Sequence, residues 1–96
     1  MDKNQTQITY APNIKKIEKL GAKWYNIVVD ITQKLEEWGF QYSRTLGFVN
    51  DRELSEEEMA QLGQEIATLA LGKENLLYLN IRVISNVTDL TYLFKK

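Results

Sequence analysis

The chain has 96 residues, 12 Lys/Arg against 13 Asp/Glu, and neither histidine nor cysteine. Without cysteine there is no disulfide, no thiolate nucleophile and no cysteine-held zinc. Without histidine the usual general base and the imidazole metal ligand are missing too, which leaves carboxylates, hydroxyls, amines, guanidinium groups or a borrowed metal ion. At 44% hydrophobic and 26% charged residues, the chain can bury a modest core, and a single domain, 1–96, is expected at this length. The net charge of −1 sets up no global field for nucleic acid. Residues 1–52 nevertheless carry eight Lys/Arg against six Asp/Glu, and residues 53–96 four against seven. A basic first half can meet a phosphate backbone locally, or it can be an ordinary solvated surface. No apolar run nears the roughly 18 residues of a membrane span, and Met1–Gln7 has no signal-peptide core, so a soluble, cytoplasmic protein without membrane contact is expected.

Residues 1–7 are expected to be a flexible end. The β-branched and aromatic stretch Gln7–Ala11 reads as a strand that stops at Pro12, where proline fits the first turn of a following helix. From Asn13 to Trp38 the apolar residues Ile14, Ile17, Trp24, Val28, Ile31, Leu35 and Trp38 recur at helical steps. Gly21 divides that stretch into a short helix near 13–20 and a main helix near 22–38. A coiled-coil seam is the competing reading of the same stripe, but Leu20, Tyr25 and Ile27 widen the apolar face beyond a seam. Gly39 is placed to terminate the main helix.

Phe40–Val49 reads as strand, with Arg44-Thr45 marking a bend or a hairpin between two short strands. After a loop over 50–54, Ser55-Glu56-Glu57-Glu58 forms a capping box that opens a helix with Met59, Leu62, Ile66 and Leu69 on its buried stripe and Gly72 at its close. Leu77–Ile84 alternates, with Leu77, Leu79, Ile81 and Val83 on one side and Tyr78, Asn80, Arg82 and Ile84 on the other. Val87–Phe94 fits either a last helical turn capped by Thr88-Asp89 or an edge strand. The order β-α-β-β-α-β predicts an α/β (α+β) ferredoxin-like plait. Its helices cover one sheet face and leave the other, carrying Tyr78, Asn80 and Arg82, open to RNA or to a second subunit.

Several motifs along the chain resemble one family. Trp24-Tyr25-Asn26, Asp30-Ile31, Lys34-Leu35-Glu36 and the run Gly39-Phe40-Gln41-Tyr42-Ser43 are followed by Ile81-Arg82-Val83 and Asp89-Leu90-Thr91. In order and spacing they resemble the virulence-associated protein D (VapD) family over about residues 8–96. Leu46-Gly47-Phe48 with Arg52-Glu53-Leu54 also resembles the small nuclease-like subunit of CRISPR adaptation complexes, a structural relative. The resemblance implies a ferredoxin-like homodimer. It also implies a small endoribonuclease, acting as a toxin in some toxin–antitoxin pairs and so facing RNA and an antitoxin or other protein partner. The family site centres on an aspartate ending the first strand, near its symmetry mate, so that the two hold Mg²⁺ or Mn²⁺. This chain departs there: the first strand ends Tyr10-Ala11-Pro12-Asn13, without a carboxylate. The family's third-strand serine falls near Thr45 or Leu46, and an aspartate beside the Ile-Arg step is Asn80. Carried over residue by residue, the catalytic candidates are therefore Asn13, Thr45 and Asn80, and a scaffold that kept the dimer and lost catalysis is the alternative.

The residues themselves offer further candidates. Asn80 and Arg82 suit phosphate or base edges, or a hydrogen-bonded pair at a dimer interface. Lys15, Lys19 and Lys23 share a helical face that is either an RNA track or solvated surface. Tyr42, Ser43, Arg44 and Thr45 bring an aromatic ring, two hydroxyls and a guanidinium together within four residues, suited to base stacking or to strand packing. Asp51 and Glu53 are the fallback metal ligands. Ser43 has no adjacent base and is set aside as a nucleophile.

Overall fold

The computed structural model describes residues 4–84, and the expected alternation of elements is present in the expected order. Strand β1 (Gln5–Pro12) leads into helices α1 (Ile14–Lys19) and α2 (Trp24–Glu37). The hairpin β2 (Gln41–Ser43) and β3 (Gly47–Asn50) precedes α3 (Glu56–Leu69), and a 3-10 turn at Lys73–Asn75 feeds β4 (Leu76–Ile84). The strands form one antiparallel sheet in the order β2-β3-β1-β4. Together with the three helices this makes an α+β domain. The expected last element, Val87–Phe94, lies outside the described residues.

Strand alternation decides which face is covered. Ile8 of β1 is buried against Ile27, Ile31 and Leu35 of α2 and Leu62 and Ile66 of α3, with Phe48, Leu79 and Ile81 packed around them. These side chains turn to the helices, so Gln7, Thr9, Asn80 and Arg82, one step out of phase, turn to the opposite face. The coiled-coil reading does not hold. At Gly21 (φ +82°) the chain leaves α1, and α2 lays Ile27, Ile31 and Leu35 on the sheet. Ile27 is buried where Val28, expected in the stripe, is only partly so, and Ile14 is exposed.

Local chemistry sets the helix ends. The Ser55 hydroxyl accepts from the Glu58 amide (3.1 Å) and the Glu58 carboxylate accepts from the Ser55 amide (2.9 Å), closing the expected capping box. That backbone bond first, then the Arg52 guanidinium, holds the Glu58 carboxyl below its ordinary value. Because the folded value is the lower one, the stabilisation is complete above the unfolded glutamate pKa and is lost as pH falls through the folded one. The C-termini share a pattern in which the third residue past the helix bonds back to the last turn. Ala22 N–H donates to Ile17 O (3.3 Å), Phe40 to Leu35 O (2.9 Å) and Gly72 to Ala67 O (2.9 Å).

The left-handed position in this motif falls to Gly21 and Gly39 in the first two cases, but to Leu71 (φ +64°) in α3. Gly72 lies one residue beyond the position that needs it, a correction to the expected close. Leu71 is 55% exposed, so its side chain gives little burial in return for the strained backbone. Leu71→Gly is expected to stabilise the protein by about 0.5–1 kcal/mol, the relief of a left-handed leucine less the extra chain entropy of glycine, read as a higher urea midpoint at unchanged slope.

Three further differences from the sequence expectation have physical causes. Strand β1 begins at Gln5, not Gln7, and the supposedly frayed Thr6 is fully buried, because the loop after β3 crosses over it. Asn50, expected in that loop, ends β3. In β4, Ala11 pairs with Tyr78 and Pro12 with Leu76, leaving Leu77 in a bulge. Proline has no N–H to continue the ladder. Leu76 therefore takes the inward position, and Leu77, expected beside Leu79, is 66% exposed.

Candidate functional site

The open face of the sheet carries a polar surface assembled from three strands. Arg82 and Gln7 are cross-strand partners in the β1/β4 register, and Thr9 and Asn80 pair two residues further along. Arg82 Nε donates to Gln7 Oε1 at 2.8 Å, and Gln7 Nε2 donates to the Leu46 carbonyl at 2.6 Å. Gln7 is thus a buried relay, 7% exposed, which ties an exposed guanidinium on the edge strand to the β2–β3 hairpin. Each bond removes a degree of freedom from Arg82, and charge-assisted bonds of this kind are among the stronger ones. Next in the same row stand Asn80 and then Tyr78, whose ring is about half exposed.

The hairpin bounds this face on its other side. Ser43 Oγ and Thr45 Oγ1 lie 3.3 Å apart, and Ser43 Oγ also accepts from the Leu46 amide. Gly47 (φ +82°) lies so close to β1 that a Cβ there would sit 2.9 Å from the Ile8 carbonyl. That approach places the Ser43–Leu46 turn beside Thr9 and hence in the row of Asn80. Arg44 is exposed in the same turn. Arg82, Asn80, Ser43, Arg44 and Thr45 therefore share one surface, and it includes Gln7, a residue not among the sequence candidates, whose partner lies 75 residues away. The available signal was its phase: Gln7 alternates with Ile8 and falls in register with Thr9.

Other candidates lie elsewhere. Asn13 is the N-cap of α1, its side-chain oxygen accepting from the Lys16 amide (3.3 Å) and its own amide donating to Asn75 O (2.8 Å). Lys15 and Lys19 are exposed on α1, beyond the end of β1. Tyr42 pairs in register with Phe48 and meets it edge to face at 5.4 Å, so it stands on the helix side, away from Ser43. Lys23 is held 5.9 Å from the centre of the Tyr25 ring. Within the chain the Arg82 Nε is taken by Gln7.

Among the described residues the divalent metal implied by the family resemblance finds no matching donor set. Asp51 accepts from Gln5 Nε2 and Glu53 from Asn4 Nδ2, each at 3.0 Å. This puts them at the start of β1, whereas Asn13 follows its end, roughly 25 Å away at strand rise. Among the described residues no three acidic groups gather as metal ligands do, and the Asn13 oxygen is already engaged as a cap.

On the helix side, burial raises the Tyr10 phenol above its ordinary pKa, opposed by its bond to the Thr32 hydroxyl. No helix among the described residues is long and apolar enough to cross a membrane. Comparison of the chain with family models, with curated proteins and with solved structures gives no match in any of the three.

Proposed function

We propose that this chain is a ferredoxin-like, VapD-like scaffold that pairs with a second copy of itself and binds single-stranded RNA on its open sheet face without cutting it. The strand order β2-β3-β1-β4, antiparallel throughout, supports the plait. The observation that carries the RNA reading is the relay Arg82–Gln7–Leu46, which spends buried hydrogen bonds on fixing an exposed guanidinium beside Asn80 and Tyr78. Single-stranded RNA needs those three things at once: a cation for phosphate, an amide for a base edge and a ring on which a base can stack. With a net charge of −1, the attraction is local to this face and weakens with added salt.

An endoribonuclease of the toxin–antitoxin type is the second reading. It is favoured by the two carboxylates Asp51 and Glu53, held by the side-chain amides of Gln5 and Asn4 at one end of the sheet, where a two-fold axis would double the set. It is the weaker reading, because a single chain does not bring these acids near Asn13, Thr45 or Asn80.

Titration of a fluorescent single-stranded RNA by anisotropy at low salt, in Mg²⁺ and again in chelator, separates the two. Binding without cleavage is expected in both buffers. Arg82→Ala should weaken it about tenfold, the size of one lost arginine contact, while Lys15→Ala leaves it unchanged. Absence of binding by the unmodified protein sinks the proposal. Chelator-sensitive cutting that Asp51→Asn abolishes transfers the function to the nuclease.

A further inference from the structure

A groove of about 440 Å³ lies on the helix side, at the sheet edge formed by the short strand β2. It exists because α2 aims Ile27, Ile31 and Leu35 at the middle of the sheet, while Trp24, Val28, Thr32 and Glu36, four residues apart, form a row along its flank. The floor opposite that row is aromatic. Tyr10 and Phe48 stack with ring centres 6.5 Å apart, and Tyr42 meets Phe48 edge to face. Tyr42 is 67% exposed, a large ring left beside a groove.

The charge of this groove is one-sided. Among the described residues Glu36 is the carboxylate in its lining, and no lysine or arginine joins it. The nearest basic side chain in sequence, Lys23, is turned onto the Tyr25 ring. The Tyr10 phenol, raised by burial, stays neutral at physiological pH. Ring faces carry the negative end of the aromatic quadrupole, so the rings and the carboxylate all favour a cation and all oppose a phosphate. The cation must also shed its water cheaply, because most of the surface is hydrocarbon. A methylated ammonium meets both conditions, whereas a bare ammonium holds its hydration shell.

The row has length as well. The twelve helical steps from Trp24 to Glu36 span roughly 18 Å, more than a trimethylammonium head fills. We propose that this groove binds an amphiphilic organic cation, with its methylated ammonium head between Glu36 and the Tyr42 and Phe48 rings and its apolar tail along Val28 toward Trp24. The site is separate from the RNA face, on the other side of the sheet, and stands or falls independently of it.

The test follows the Trp24 indole N–H resonance of the full chain in ¹H–¹⁵N spectra, with Trp38 as internal reference. The probes are tetramethylammonium, butyltrimethylammonium, hexyltrimethylammonium and neutral 1-hexanol. Saturable binding is expected for the alkylated cations, tighter by roughly five- to fifteenfold from the butyl to the hexyl probe as one to two further methylenes are buried. Trp24 should respond to the hexyl probe and not to tetramethylammonium. Hexanol should bind roughly tenfold more weakly than hexyltrimethylammonium. Glu36→Gln, an exposed change that leaves the fold intact, should weaken the cation by roughly two- to fivefold and leave hexanol unchanged, and Arg82→Ala should alter neither. Equal binding of hexanol and the cation, the same loss of both in Glu36→Gln, or no saturable shift at Trp24 overturns the proposal.

Discussion

Thr6→Val will destabilise the protein by roughly 2–4 kcal/mol, although the substitution preserves shape and adds apolar surface. The Thr6 side chain is fully buried, and its hydroxyl works in both directions at once. It donates to the Arg52 carbonyl (2.9 Å) and accepts from the Leu54 amide (2.8 Å). Those two backbone groups belong to the loop that carries the chain from β3 into α3, which has no ladder of its own to satisfy them. A valine methyl in place of the hydroxyl leaves a buried donor and a partly buried acceptor without partners, and such a loss costs far more than a methyl gains. Leu54, fully buried beside it, would lose its anchor too. Urea unfolding followed by far-ultraviolet circular dichroism checks this. Thr6→Ser, which keeps the hydroxyl, should cost only about 1 kcal/mol, and a cost for valine no greater than for serine would disprove the account.

Thr6 also marks where the sequence stops being legible. The signals that worked are local. The Ser55-x-x-Glu58 box, Gly39 after Trp38 and the break at Gly21 each depend on residues within one helical turn, so their chemistry can be read in a short window. The burial of Thr6 depends on partners 46 and 48 residues away, and nothing near it in sequence marks a polar N-terminal stretch as interior. The same holds for Leu77, whose alternation is sound until the missing amide of Pro12 across the sheet forces a bulge. Within the candidate site, period-two alternation was enough to place Tyr78, Asn80 and Arg82 on one face. Sequence proximity misled for Tyr42, because adjacent strand residues point to opposite faces; it belongs with Phe48, and Ser43 with the hairpin turn. Gln7, the residue that organises the open face, is visible only once β1 and β4 are paired.

Phe40→Ala is expected to cost about 3–5 kcal/mol, comparable to much of the stability that a domain of this size possesses. Phe40 is 2% exposed and joins Leu35, Ile31 and Leu62 in the core. It is also the residue whose amide closes α2 by bonding to Leu35 O at 2.9 Å, just after Gly39 at φ +95°. In this terminating motif the side chain past the glycine packs against the last turn of its own helix, so one ring both fills the core and pins the helix end. The Trp38 carbonyl beside it accepts from Asn50 Nδ2 at 2.8 Å, which ties the same corner to the end of β3. Truncating Phe40 therefore opens a cavity at the point where α2, the core and the sheet meet, and the last turn of α2 loses its apolar lock. Phe40→Leu, which retains most of the volume, should cost about 1 kcal/mol. Tyr42→Ala, two residues on but 67% exposed, should cost about 1 kcal/mol or less. Hydrogen exchange provides the specific readout: in Phe40→Ala the amides of residues 35–38 should lose protection before those at the start of α2, and a uniform loss along the helix would refute the assignment of Phe40 as its lock.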